Sequence, residues 1–316
     1  MIGDIIKEQR TMNNMSRQTI AEGICSEKYI YLIERNERNP SAYILDQLSE
    51  KLGIDLFEYY QYQNFKNSIM VVEYKRRFER YIKLGDVEKL KKASLKAAQL
   101  EDFKSEPLIY DIEIINCLYE TLVEGNRTET IKKLKDILKT PQLNIDPLTF
   151  VNGYIVLSTC YQLEGQLKEA KEVLYLAYEL VKNKTKFPRY YTVIINVMIS
   201  LTSFLYSSQD YKQLIHYSKI LLDFHEKQNE YNRIYYADIY LAFGYYHTNN
   251  LEAAKKHFYR GLLSTSLFKN QLDLDVMIQT KDFNKLLNEF LEDEHIQLFY
   301  QQTGLAFIDS FELPTT

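Results

Sequence analysis

Tryptophan is absent from this 316-residue chain, and glycine, proline and cysteine are scarce at 10, 6 and 3. So few breakers leave little to interrupt the plentiful Leu, Lys, Glu, Ile and Tyr, which predicts an all-α protein. Cys25, Cys117 and Cys160 are odd in number and far apart, with no CxxC pair. That excludes a disulfide framework or zinc site and leaves them as small buried apolar residues. There is no HExxH, GxSxG, phosphate-binding P-loop or dinucleotide fingerprint, and His216, His225, His247, His257 and His295 form no convincing ligand pair. An enzyme is not expected, and neither is a metal or cofactor. MIGDIIKEQR carries charge throughout, unlike a secretory leader, so the expected location is the cytoplasm. From Tyr190 to Gln209 no residue is charged. The stretch could span a bilayer, but it is half Thr, Ser, Asn, Tyr or Gln and falls inside a repeat, so no membrane association is expected.

What is present divides into a head and an array. In SRQTIAEGICSEKYIYLIERNERNP, residues 16–40, two short helical patterns are joined by a turn of about three residues. Ile2, Ile5, Ile6 and Met12 mark a helix before them. Ser16 and Ser26 are placed to cap the pair, which carries Ile20, Ala21 and then Tyr29, Ile30, Ile33. After Asn39-Pro40-Ser41 a fourth helix carries Ile44, Leu45, Leu48 and Leu52. None is long enough to be stable alone, so all four must share one core.

The string Ile2-Gly3-Asp4-Ile5-Ile6-Lys7-Glu8-Gln9-Arg10, then Ala21-Glu22, Ser26, Ile33-Glu34-Arg35, Asn39-Pro40-Ser41 and Leu48 to Leu52-Gly53-Ile54, resembles the Xre-type helix-turn-helix of bacterial and phage regulators. Its turn is one residue shorter than in the commonest members. In this it is similar to the peptide-pheromone-responsive transcriptional regulators of Gram-positive bacteria (RRNPP type, Plc/Rgg-like branch). A recognition helix of this kind enters the major groove of double-stranded operator DNA. With Ile30 and Ile33 inward, Glu27, Lys28 and Tyr31 face out beside Arg17 and Gln18, and these five are the base-reading candidates. Ser26, Arg35 and Arg38 are better placed for phosphates. The resemblance implies a structural ion pair between Arg10 and Glu34. Six basic and six acidic residues within 1–40 cancel, so phosphate binding rests on how charges are arranged.

Beyond residue 68 the sequence repeats. YIVLSTCYQLEGQLKEAKEVLYLAYEL from Tyr154 and DIYLAFGYYHTNNLEAAKKHFYRGLL from Asp238 both place an aromatic (Tyr161, Tyr245) before a break, then small residues (Ala170 and Ala177; Ala254 and Gly261) around Leu174 or Phe258. This resembles the tetratricopeptide pattern, in which small residues sit where paired helices cross closely. Breaks at Gly85, Gly125, Gly165, Gln209 and Asn249 lie 40, 40, 44 and 40 residues apart. They predict a right-handed superhelix of about five degenerate repeats and a C-terminal capping helix pair. The expected domains are a helix-turn-helix at 1–54, a linker helix at 55–68 opened by Asp55, repeats at 69–270, and capping or dimerisation helices at 271–316.

This register turns Asn152, Thr159, Gln162, Asn196, Ser203, Tyr206, Tyr236, Phe243 and Tyr246 toward the concave surface. Amides can pair with an extended peptide backbone and aromatic rings can pocket its side chains. The family resemblance implies a homodimer whose groove takes a short signalling peptide and whose inner-helix asparagines, here Asn152 and Asn196, hold the peptide backbone. The alternative is a tetratricopeptide scaffold binding a partner protein, with the head as a minor or protein-contacting module.

Overall fold

The computed structural model describes residues 2–141, 146–231, 233–267 and 280–290, and every regular element among them is helical. They fall into two compact units, Met1–Ile82 with Asp86–Tyr119, and Lys83–Gly85 with Glu120–Thr316.

The first unit opens with α1 (Ile2–Met12), α2 (Arg17–Ala21), α3 (Glu27–Glu34) and α4 (Ala42–Leu52). Ser16, Ser26 and Ser41 each accept a hydrogen bond from the backbone N–H three residues on, satisfying donors that each helix start would otherwise leave open. Ile2, Ile5, Ile6, Ile20, Ile30, Ile33, Leu45 and Leu48 are all buried in one core. Met12, assigned to that stripe by spacing, ends α1 beyond the packed core and is 66% exposed. Gly3 marks the closest approach in the head. A Cβ there would lie 1.9 Å from the Ile33 carbonyl oxygen, and the Gly3 N–H donates to Asn36 Oδ1.

Asp55 caps a helix as expected, but α5 (Leu56–Tyr60) has only five residues and gives way to turns, so the linker helix stops short of Asn67. The cause lies far along the chain. Asp102, in a 3-10 turn at Glu101–Lys104, accepts from the Lys66 and Asn67 N–H groups at 2.9 Å and from Asn67 Nδ2 at 3.0 Å. It thereby starts a fresh helix, α6 (Ser68–Leu84). Next come α7 (Val87–Ala97) and α8 (Ile109–Tyr119).

The second unit continues with α9 (Arg127–Ile137), α10 (Pro147–Leu163), α11 (Leu167–Val181), α12 (Tyr191–Ser207), α13 (Tyr211–Gln228), α14 (Tyr235–His247) and α15 (Leu251–Leu267). Each helix from α9 to α15 packs on the next, and α10, α12 and α14 also pack on one another in turn, which is how helix-pair repeats stack. All five break residues have left-handed backbone, with φ of 64° at Gly85, 75° at Gly125, 71° at Gly165, 58° at Gln209 and 59° at Asn249. In four of them the following N–H reaches back five residues, as from Gln166 to Tyr161, closing a Schellman turn. In the second repeat a π-helical turn at Glu120–Glu124 adds a residue, and Asn126 reaches back six to Glu120.

The small residues do what the pattern requires. Ala170, Ala177 and Ala254 are fully buried, and a Cβ on Gly261 would come 2.5 Å from Ile239 Cδ1. The uncharged stretch forms α12, with Val197, Leu201 and Leu205 fully buried, so its apolarity serves the core. Of the C-terminal segment only α16 (Lys281–Phe290) falls within the described residues, where Phe283 packs on Phe258 of α15. The rest of the expected capping and dimerisation region lies outside them.

Gln209 alone among the breaks is neither Gly nor Asn, so it carries the left-handed penalty of an ordinary side chain. Gln209→Gly is expected to stabilise the repeats by about 1 kcal/mol and raise Tm by about 2–4 °C in a thermal melt.

Candidate DNA-reading head and repeat groove

Between α2 and α3 the caps Glu22 and Ser26 enclose three residues, Gly23-Ile24-Cys25, and Gly23 takes φ +77° to turn the chain. The outward side of α3 presents Glu27, Lys28 and Tyr31, with Gln18 exposed on α2, Ser26 and Arg35 exposed at the caps of α3, and Arg38 exposed in the turn that follows. All the sequence-predicted head residues therefore lie on accessible surface, Arg17 being half-buried.

Beneath that surface Glu34 organises two arginines. Arg10 Nε donates to Glu34 Oε1 at 2.6 Å, as the resemblance implied, and Arg17 Nε donates to Oε2 at 2.7 Å, which sequence reading missed. Burial pushes the Glu34 carboxyl pKa up, but the hydrogen bonds and charges of Arg10 and Arg17 outweigh it and hold the group below the usual carboxylate range. The guanidinium groups of Arg17, at 5.2 Å, and Arg35, at 5.6 Å, both lie over the Tyr31 ring. Arg35 also donates to the Tyr31 hydroxyl at 2.8 Å and pairs with Glu37 at 2.7 Å.

These shifts give the units different acid sensitivities. Glu34 is depressed, so its contribution is complete above the ordinary value of 4.5 and is lost as pH falls through its lower folded value. His225 on α13 is fully buried, and burial lowers its pKa beneath the ordinary 6.5. Its neutral form is favoured on folding, so stability is lost as pH falls below 6.5 and the unfolded chain takes up the proton first. Site-resolved hydrogen exchange across pH 7 to 4 should show α13 weakening before the head, and His225→Leu should remove the earlier step.

In the repeats, the predicted groove residues sit at three matching positions, thirteen, six and three residues before each break: Asn152, Thr159 and Gln162 on α10, Asn196, Ser203 and Tyr206 on α12, Tyr236, Phe243 and Tyr246 on α14. Their availability differs. Asn152 is half-buried, and among the described residues its amide has no partner. Asn196, half-buried, uses its Oδ1 to accept from Arg233 Nη1 at 2.9 Å. Thr159 donates to the Ile155 carbonyl and Gln162 to the Ser158 hydroxyl. Phe243 is fully buried between the rings of Tyr206 and Tyr240 and Tyr236 is 7% exposed, so these two pack between helices. Tyr206 donates to Asp282 at 2.9 Å and Tyr246 to Glu289 at 2.8 Å, both on α16. Burial, and then the Asp282 carboxylate, raise the Tyr206 phenol well above its ordinary pKa, so it remains a donor. Periodicity gave no sign of Arg233, Asp282 or Glu289 at these positions, because they come from a turn and a later helix.

Residues 6–59 match the helix-turn-helix family model, so the head is a helix-turn-helix domain. Over 88% of its length the chain shares the fold of PlcR from Bacillus thuringiensis, solved in complex with the peptide PapR7 and DNA, at TM-score 0.66 and 14% identity, with 99% of that chain covered. A candidate transcriptional regulator from Listeria monocytogenes EGD-e shares the fold at TM-score 0.54 and 17% identity, covering 94% and 99%. ComR from S. thermophilus, in complex with DNA and its signalling peptide, matches at TM-score 0.49 and 16% identity over 96% and 100%. No curated protein sequence gives a significant match.

Proposed function

We propose that the chain is a cytoplasmic, dimeric, peptide-responsive quorum-sensing transcriptional regulator. Residues 1–54 bind operator DNA and the groove of the repeats in 69–270 binds a short signalling peptide. The carrying observation is the pairing, in one chain, of a helix-turn-helix with an exposed polar recognition face and a repeat array with half-buried amides at equivalent positions, Asn152 and Asn196. The shared fold of PlcR, crystallised with both a peptide and DNA, supports the same division of labour. Peptide binding shifts operator affinity only insofar as the peptide prefers one arrangement of the protein. Dimerisation sets the spacing of the two half-sites.

The test is genome-wide DNA capture with the purified protein, with and without small-peptide extract of spent medium. Discrete inverted-repeat sites whose occupancy changes with the extract are the expected result. Sites indifferent to the extract would remove the peptide sensor. No discrete sites in either condition would favour a scaffold that holds a partner protein.

A further inference from the structure

We propose that Arg17 reads a guanine in each half-site, with Glu34 as its positioning residue; the inference rests on the DNA-binding reading above. Arg17 is the first residue of α2 and does not belong to the recognition helix, yet its guanidinium lies over the ring of Tyr31 on the outward side of α3. That brings the charged group beside the outward face of the recognition helix, the element whose side chains reach base edges in this motif. Its orientation is fixed from two directions. Glu34, with its side chain 1% exposed, takes the Nε edge at 2.7 Å, and the Tyr31 ring supports one face. Glu34 cannot swing to follow Arg17, because its other oxygen is held by Arg10, which is itself anchored by donation from Nη1 to the Met15 carbonyl at 2.7 Å.

Among the described residues the Nη1 and Nη2 groups of Arg17 have no hydrogen-bond partner, and the side chain is 36% exposed. The remaining edge is therefore a pair of parallel N–H donors, the shape that fits guanine O6 and N7. Charge favours the base over a phosphate. A carboxylate at 2.7 Å already offsets much of the guanidinium's charge, which weakens its pull on an anion but leaves its donor geometry intact for a neutral acceptor pair. Arg35, whose guanidinium also lies over this ring, is unsuited to this role because the Tyr31 hydroxyl and Glu37 already engage it. Fixing a reader on a buried neighbour also spares it the ordering entropy of a long free side chain.

The experiment is selection of full-length protein, with and without peptide extract, on a randomised duplex DNA library, using wild type, Arg17→Lys and Glu34→Gln. Wild type is expected to show a strongly preferred guanine at one position per half-site. Arg17→Lys should lose that preference by about tenfold to a hundredfold while keeping the others and the salt dependence. Glu34→Gln should weaken the same position. Circular dichroism checks that the variants fold, and Arg17→Lys, which keeps the charge and is partly exposed, serves if Glu34→Gln does not. In a further variant, Arg17→Ala, which removes the charge, uniform loss at every position with log K against log salt shallower by about one would assign Arg17 to a phosphate and overturn the inference. A wild-type protein that selects no motif at all would instead overturn the DNA-binding reading beneath it.

Discussion

Gly3→Ala is expected to unfold the helix-turn-helix head and abolish operator binding while leaving the second unit intact. The added methyl would meet the Ile33 carbonyl oxygen at 1.9 Å and its carbon at 2.8 Å, both backbone atoms that cannot rotate away, as well as Asn36 Oδ1 at 2.7 Å. Relief requires α1 and α3 to separate, which unpacks Ile2, Ile5 and Ile6 from Ile30 and Ile33. Overpacking against side chains costs about 1–3 kcal/mol, and a fixed backbone makes the upper end the minimum here. A head of this size has only a few kcal/mol to lose. Hydrogen exchange resolved by segment should show α1 to α4 unprotected and α10 to α15 unchanged. Protection retained throughout, with operator binding intact, would mean that α1 and α3 do not meet this closely.

Asp238→Ala should have a comparable effect on the second unit. Asp238 is fully buried on α14, where its two oxygens accept from Arg260 Nε at 2.9 and 2.8 Å and one also meets His257 Nδ1 at 2.9 Å. Truncation strands two partners on α15. Breaking a buried pair costs about 3–5 kcal/mol, and the lower end applies because the Arg260 side chain is 39% exposed and keeps Glu226 at 3.2 Å. The α14–α15 pair should lose protection first, and urea should unfold the repeats at a lower concentration. The groove between α12 and α14 would loosen, so any peptide response should fall with it, whereas DNA contacts of the head should be spared.

Features fixed by neighbours in sequence were the readable ones. Ser16 and Ser26 cap because a short hydroxyl reaches a backbone N–H three residues on, and the five breaks were legible from their spacing even where Gln209 replaces glycine. The inward stripe of the head and the small residues Ala170, Ala177, Ala254 and Gly261 were equally plain. Distance along the chain is what hid the rest. Nothing near Asn67 announces that Asp102, 35 residues later, will begin a new helix there. Periodicity also tells which way a residue points but not how deeply it sits, which is why Phe243 shares a register position with Thr159 and yet is fully buried. The π-helical turn at Glu120–Glu124 shifts the second repeat by one residue, and no spacing rule reveals such an insertion. Spacing offered Arg17 only as a base-reading candidate, and its hydrogen bond to Glu34 needed the fold to bring positions seventeen apart together.

The most direct test of the account is operator affinity measured with and without peptide extract for wild type and for Asn152→Ala. Asn152 is half-buried and unbonded among the described residues, so its loss should cost the fold little and leave affinity without extract unchanged. Extract is expected to shift the operator Kd of the wild type, and Asn152→Ala to reduce or remove this shift. An equal shift in both proteins would contradict the assignment of the peptide to this groove.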